Sequence, residues 1–91
     1  MKSQQYITDE GLVIGYLYLA REPISAEDLV NRLGKKRTTL IPKIYRLREQ
    51  GKIKQTKDPA NWRAKPYILT DSGRKDSEKY HLAEAVSAIF N

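Results

Sequence analysis

The feature that most restricts this chain is a change of period at Gly51. Up to that glycine, apolar residues recur at helical spacing. Beyond it, Lys52-Ile53-Lys54-Gln55-Thr56 alternates as a strand with one apolar face, and Pro66-Tyr67-Ile68-Leu69-Thr70 reads as the returning strand. The turn signals Asp58-Pro59 and Asn61 lie between them, so a hairpin with a long basic tip is predicted. The fold class is α+β and mainly helical. Ninety-one residues enclose one modest core, so a single domain over 1–91 is expected, with its main body in 9–71.

Three helices are predicted before the hairpin. The first runs from Thr8 or Asp9 to about Arg21, where Glu22 and Pro23 stop it. Its apolar residues, from Leu12 to Ala20, nearly encircle it. The second follows a short extended residue, Ile24. Ser25-Ala26-Glu27-Asp28 resembles a capping box, Leu29, Val30 and Leu33 form the buried stripe, and Gly34 closes the helix. The third puts Leu40, Ile44 and Leu47 on one face. Its start is expected at Thr39 as N-cap, because that places Pro42 in the first turn, where its missing N–H costs nothing. A last helix, from about Ser72 to Ile89, is read as one piece within 72–90, with Leu82, Ala85, Val86 and Ile89 on one face.

Charge is unevenly distributed. The net +6 conceals a block over residues 32 to 75 with fourteen bases against three acids, net +11, between an N-terminal segment of net −3 and a C-terminal one of net −2. Such a block is self-repelling, and a polyanion is its natural partner, with the acidic flanks expected to face away from it. Other chemistries lack residues. There is no cysteine for a disulfide, a zinc site or a thiol nucleophile. His81 has no second histidine for a metal or a triad and is read as a surface helix residue. Gly34 and Gly51 belong to helix stops, not to a phosphate-cradling loop. No enzyme, cofactor or metal is therefore expected. No apolar run approaches a membrane span, Met1 to Asp9 lacks the layout of a secretory signal, and a cytoplasmic location is expected.

The order helix, short strand, helix, turn, helix, hairpin is that of a winged helix-turn-helix. Leu29-Val30-Asn31-Arg32-Leu33-Gly34-Lys35-Lys36-Arg37-Thr38-Thr39-Leu40 resembles the "LAERLGVSRSTV" pattern of prokaryotic regulators. Ile44-Tyr45-Arg46-Leu47-Arg48-Glu49-Gln50-Gly51-Lys52-Ile53 is similar to the "LKRLEEKGLI" that joins recognition helix to wing. Tyr67-Ile68-Leu69-Thr70-Asp71-Ser72-Gly73-Arg74 resembles the "YxLTxxGR" that closes the wing in PadR-like and MarR-like proteins. The resemblance covers roughly residues 10 to 80. It implies three helices, a two- to three-stranded wing and an added C-terminal helix. The turn departs from the pattern at Lys35, where an apolar residue is usual, and at Lys36, where a serine or threonine cap is usual.

The resemblance implies that the third helix enters the major groove of double-stranded DNA and the wing meets phosphates or the minor groove. The residues it assigns to DNA are Lys35, Lys36, Arg37, Thr38, Thr39, Pro42, Lys43, Tyr45 and Arg46 on the turn and helix, with Lys54, Lys57, Asn61, Arg63 and Lys65 on the wing. The chemistry suits these roles: threonine and lysine meet phosphate oxygens, and arginine bonds guanine bidentately. Alternatively, Tyr45 covers the domain edge and Arg46 pairs with Glu49 or Gln50. Ile41 either touches a thymine methyl or packs beneath the wing, and Trp62 either anchors the hairpin or lies against the DNA backbone. Leu12, Tyr16, Leu82, Val86, Ile89 and Phe90 offer more apolar surface than one small domain hides, and homodimerisation through the last helix is favoured over its packing on the first helix of the same chain. The expected function is sequence-specific DNA binding by a homodimeric transcriptional regulator of repressor type. The alternatives are a plasmid partition adaptor and a winged-helix module of a larger complex that meets protein or RNA.

Overall fold

The computed structural model describes residues 7–57 and 65–90; Asn61, Trp62 and Arg63 lie outside them. The described elements are α1 (Asp9–Ala20), α2 (Ala26–Leu33), α3 (Arg37–Glu49), β1 (Ile53–Gln55), β2 (Tyr67–Leu69), α4 (Asp71–Lys79) and α5 (Leu82–Phe90). The helix starts follow local chemistry. Thr8 caps α1 by accepting from the Gly11 N–H, Ser25 caps α2 by accepting from Asp28, and Thr70 caps α4 by accepting from Gly73. The helix ends do the same. Gly34 (φ 67°) and Gly51 (φ 75°) occupy the left-handed region that a side chain disfavours. Beyond each glycine the next amide turns back, Lys35 N to Val30 O at 3.2 Å and Lys52 N to Leu47 O at 3.0 Å, which satisfies carbonyls of the last turn.

One apolar core joins these elements. Leu12, Val13, Ile14 and Leu17 of α1 meet Leu29, Val30 and Leu33 of α2, Leu40, Ile44 and Leu47 of α3, and Ile53, Tyr67 and Leu69 of the hairpin. The strands are antiparallel, with Ile53 opposite Leu69 and Gln55 opposite Tyr67. Ile24 adds an isolated bridge to Tyr67, its N–H donating to the Tyr67 carbonyl at 3.0 Å and its carbonyl accepting from Tyr67 at 2.8 Å. The wing is therefore two strands and a one-residue bridge, tied to the connection between α1 and α2.

Two expectations about helix limits are corrected. First, α3 begins at Arg37 with Lys36 as N-cap, not at Thr39, which puts Pro42 in the sixth helical position. Pro42 cannot donate to the Thr38 carbonyl one turn earlier, but both residues are exposed, so water reaches that carbonyl. The register is set instead by burying Leu40, Ile44 and Leu47. Second, the C-terminal segment is two helices. Tyr80 ends α4, and His81 takes a left-handed conformation (φ 55°), so it sits in a break and not within a helix. The turn lays α5 on α1 of the same chain, burying Ala83, Ala85 and Val86, and that burial outweighs the roughly 1–2 kcal/mol of a left-handed non-glycine residue.

The contact between α1 and α5 depends on Gly15, one turn after Gly11, which sequence reasoning missed. A Cβ on Gly15 would lie 2.6 Å from the Leu82 carbonyl oxygen, so only a residue without one permits this approach. The signal was present as a small residue recurring every four positions in an otherwise bulky helix. Leu12 and Val86, expected at a subunit interface, are 5% and 1% exposed and belong to the core of the single chain. Tyr16 and Leu82 pack partly against that core, whereas Ile89 and Phe90 remain 48% and 46% exposed. No helix among the described residues is long and apolar enough to cross a membrane.

Candidate nucleic-acid interface

With Leu40, Ile44 and Leu47 directed inward, helical geometry turns Thr38, Thr39, Pro42, Tyr45 and Arg46 outward, and all five are exposed. Lys43 is half-buried. Ile41, open between two roles in the sequence, is half-buried and packs against the core. The start of α3 has no side-chain cap bond and no acid in its first turn. Its first free N–H groups and the positive end of its dipole remain open to water or to an anion. Lys36 stands at the cap position itself, exposed, and adds a full charge there.

The hairpin is fastened to the end of this helix. Arg48 Nη1 donates to Gln55 Oε1 at 3.2 Å, and Gln55 Nε2 donates to the Lys65 carbonyl at 3.2 Å, linking α3 through β1 to the returning strand. Thr70 donates to the Gly51 carbonyl, and its own N–H bonds the Lys52 carbonyl at 3.0 Å, closing the base of the hairpin. Between α2, α3 and the hairpin lies an open groove of about 610 Å³, bordered by Ser25, Glu27, Tyr45, Arg48, Gln55 and Lys65. Tyr45 is 54% exposed on its rim. Lys54, Lys57 and Lys65 are exposed on the described part of the hairpin.

The charge division read along the chain does not survive folding. Acids from the N-terminal segment reach the basic block instead of facing away from it. Lys35 Nζ is 3.4 Å from Asp9 Oδ1, and Arg46 Nη1 is 3.7 Å from Glu10 Oε2, so Arg46 pairs with α1 and not with Glu49 or Gln50. Arg37 grips Glu27, its Nε lying 3.1 and 2.9 Å from the two carboxylate oxygens and its Nη2 closing a further bond. The Glu27 carboxylate raises the Arg37 pKa, first through the hydrogen bond and then through its charge, so the guanidinium stays fully protonated. Lys36, Lys43, Lys54, Lys57 and Lys65 have no ion-pair partner among the described residues. Asn61 and Arg63, assigned to the wing tip, lie outside those residues, as does Trp62.

No group of three or more histidine, aspartate or glutamate side chains able to hold a metal occurs among the described residues. His81 is exposed, and its Nδ1 lies 3.3 Å from Glu84.

No protein-family model matches the chain, and no curated protein matches it. Solved structures do. S. aureus MepR in complex with DNA superposes with a TM-score of 0.71 at 27% identity, over 92% of this chain and 58% of MepR. SSV1 F-93 superposes at 0.74 with 23% identity, over 97% and 96% of the two chains. Lactococcus lactis ZitR in its apo form superposes at 0.72 with 16% identity, over 89% and 61%. The chain thus spans somewhat over half of the MepR length and nearly all of F-93. Its fold is the winged helix-turn-helix of small regulators, as the three sequence motifs imply.

Proposed function

We propose that this winged helix-turn-helix chain is a sequence-specific duplex DNA-binding protein that acts as a homodimer and serves as a small transcriptional regulator of repressor type. The observation that carries the reading is the outward face of α3. It presents Thr38, Thr39, Pro42, Tyr45 and Arg46 beside a hairpin whose Lys54, Lys57 and Lys65 have no acidic partner among the described residues. Hydroxyls and lysines of this kind suit phosphates, and arginine suits guanine. The likeness to MepR, which has been solved in complex with DNA, supports the same use of this face. Lys35, Lys36, Arg37 and Lys43 complete the helix side of the interface; Asn61 and Arg63, which the resemblance assigns to DNA, lie outside the described residues.

Homodimerisation rests on Leu19, Ile89 and Phe90, which stay 46%, 48% and 46% exposed after α5 has packed on α1. With Leu12 and Val86 used inside the chain, the partner meets the outer side of this helical layer. A two-fold pair sets two α3 helices on successive major grooves, so the site is a palindrome with half-sites about 34 Å apart.

The test is duplex binding against salt by fluorescence anisotropy. If each subunit neutralises about three to five phosphates, log K against log salt falls with a slope near −5 to −9. Arg46→Ala relaxes sequence preference, whereas Lys54→Ala and Lys57→Ala weaken all duplexes alike. A flat salt dependence, or no binding to random duplex at low salt, refutes the reading in favour of a protein-interaction module. Selection of bound genomic fragments then identifies the operator, and one palindrome beside the chain's own gene establishes a repressor.

A further inference from the structure

Three bases assigned to DNA are already engaged, each with an acid from the N-terminal third: Lys35 with Asp9, Arg46 with Glu10, and Arg37 with Glu27. The arrangement within two of the pairs is asymmetric. The Asp9 and Glu10 side chains are 22% and 27% exposed, while their partners Lys35 and Arg46 are 40% and 64% exposed. The acid stands behind and the base in front, so an external anion can approach the cation without displacing the helix that holds the carboxylate. Resting on the DNA-binding reading, we infer that Asp9, Glu10 and Glu27 are built-in competitors of the DNA backbone, which set the affinity of this face by occupying its cations until phosphate replaces them.

The physical case is one of exchange. An exposed ion pair is weak, so a polyanion can take its cation. Yet a cation that leaves a carboxylate for a phosphate gains much less than one that leaves water, and the carboxylate left behind repels the DNA. Lys36, Lys43, Lys54, Lys57 and Lys65 bear no such cost among the described residues, and they supply the first attraction. The cations that need exchange sit at the α2–α3 turn and on the outward face of α3, the elements that must seat last and closest. A basic block of net +11 is thereby kept from holding every polyanion at full strength.

The experiment measures binding of the full chain to one random-sequence duplex across a salt series, for wild type, Glu10→Gln, Glu27→Gln and the control Glu84→Gln. The control removes the same charge from α5, where Glu84 faces His81. Glu10→Gln and Glu27→Gln each tighten binding roughly 1.5- to fivefold at low salt relative to Glu84→Gln. The advantage shrinks as salt screens the pairs, so their slopes are steeper than that of wild type. In an Arg37→Gln background the effect of Glu27→Gln is smaller than in wild type, because no cation remains to release and only the repulsion between the carboxylate and the DNA is removed. Circular dichroism melts confirm that each variant is folded at the assay temperature. Wild-type binding with Glu10→Gln and Glu27→Gln no tighter than Glu84→Gln overturns this inference alone. A wild type that binds no duplex at low salt overturns the DNA reading and this inference with it.

Discussion

Gly15→Ala tests the packing that departs most from the sequence reading. In an exposed helix this substitution stabilises by about 1 kcal/mol, since alanine restricts the unfolded chain and glycine does not. Here the new Cβ would lie 2.6 Å from the Leu82 carbonyl oxygen, 2.7 Å from Val86 Cγ2 and 2.9 Å from the Leu82 carbonyl carbon. Ordinary contact begins at 3.4 Å, so α5 must withdraw by about 0.8 Å along its own backbone. Overpacking of this kind costs about 1–3 kcal/mol, and a rigid carbonyl as the obstacle puts it in the upper half of that range. After the propensity gain, a net loss of about 1–2 kcal/mol remains, or roughly 5–15 °C in Tm for a domain of this size. At Gly11 the nearest atoms are side-chain atoms, Ile7 Cγ1 at 2.9 Å, Leu82 Cδ2 at 3.2 Å and Thr8 Oγ1 at 3.3 Å, which can turn aside. Gly11→Ala is accordingly close to neutral. Urea and thermal unfolding of both variants decide the matter by sign. A Gly15→Ala protein as stable as wild type, or more so, refutes the seating of α5 on α1.

Other outcomes follow from single groups. Ser77 is 1% exposed, and its Oγ has no hydrogen-bond partner among the described residues, so Ser77→Ala stabilises by roughly 1 kcal/mol in chemical denaturation. Pro42→Ala restores an N–H opposite the Thr38 carbonyl and raises stability by about 1–3 kcal/mol, measured the same way; a loss would place the start of α3 nearer Thr39. The Tyr18 hydroxyl donates to Glu78 Oε2 at 3.0 Å, and this bond, then the carboxylate charge, raises its pKa above the ordinary 10.0. The folded value exceeds the unfolded one, so the stabilisation is complete below pH 10.0 and is lost as pH rises through the raised pKa. Ultraviolet titration of Glu78→Gln returns Tyr18 towards its ordinary value.

Local rules were legible in the sequence wherever the determining atoms were neighbours in the chain. Ser25 caps α2 within four residues, Gly34 and Gly51 end helices by their own backbone freedom, and the alternation around Ile53 and Tyr67 declares two strands. The three motifs, and with them the winged helix-turn-helix, follow from such short-range patterns. The start of α3 lies earlier than Pro42 in a first turn implies, because on an exposed face water reaches the Thr38 carbonyl and the helix tolerates the missing N–H, which depends on exposure and not on local sequence. At the candidate interface, the outward face of α3 was readable from the inward one. The state of its cations was not.

By itself, then, the sequence determined the order of elements, the core-facing stripe of each helix and the concentration of base on one stretch of chain, because periodicity and capping act over a few residues. Tertiary structure alone decided where α5 turns at His81, that Gly15 receives it, and that Asp9, Glu10 and Glu27 stand against Lys35, Arg46 and Arg37. These are contacts between segments distant in sequence or separated by a turn. Their energies depend on distances of a few ångströms that only the packed core sets.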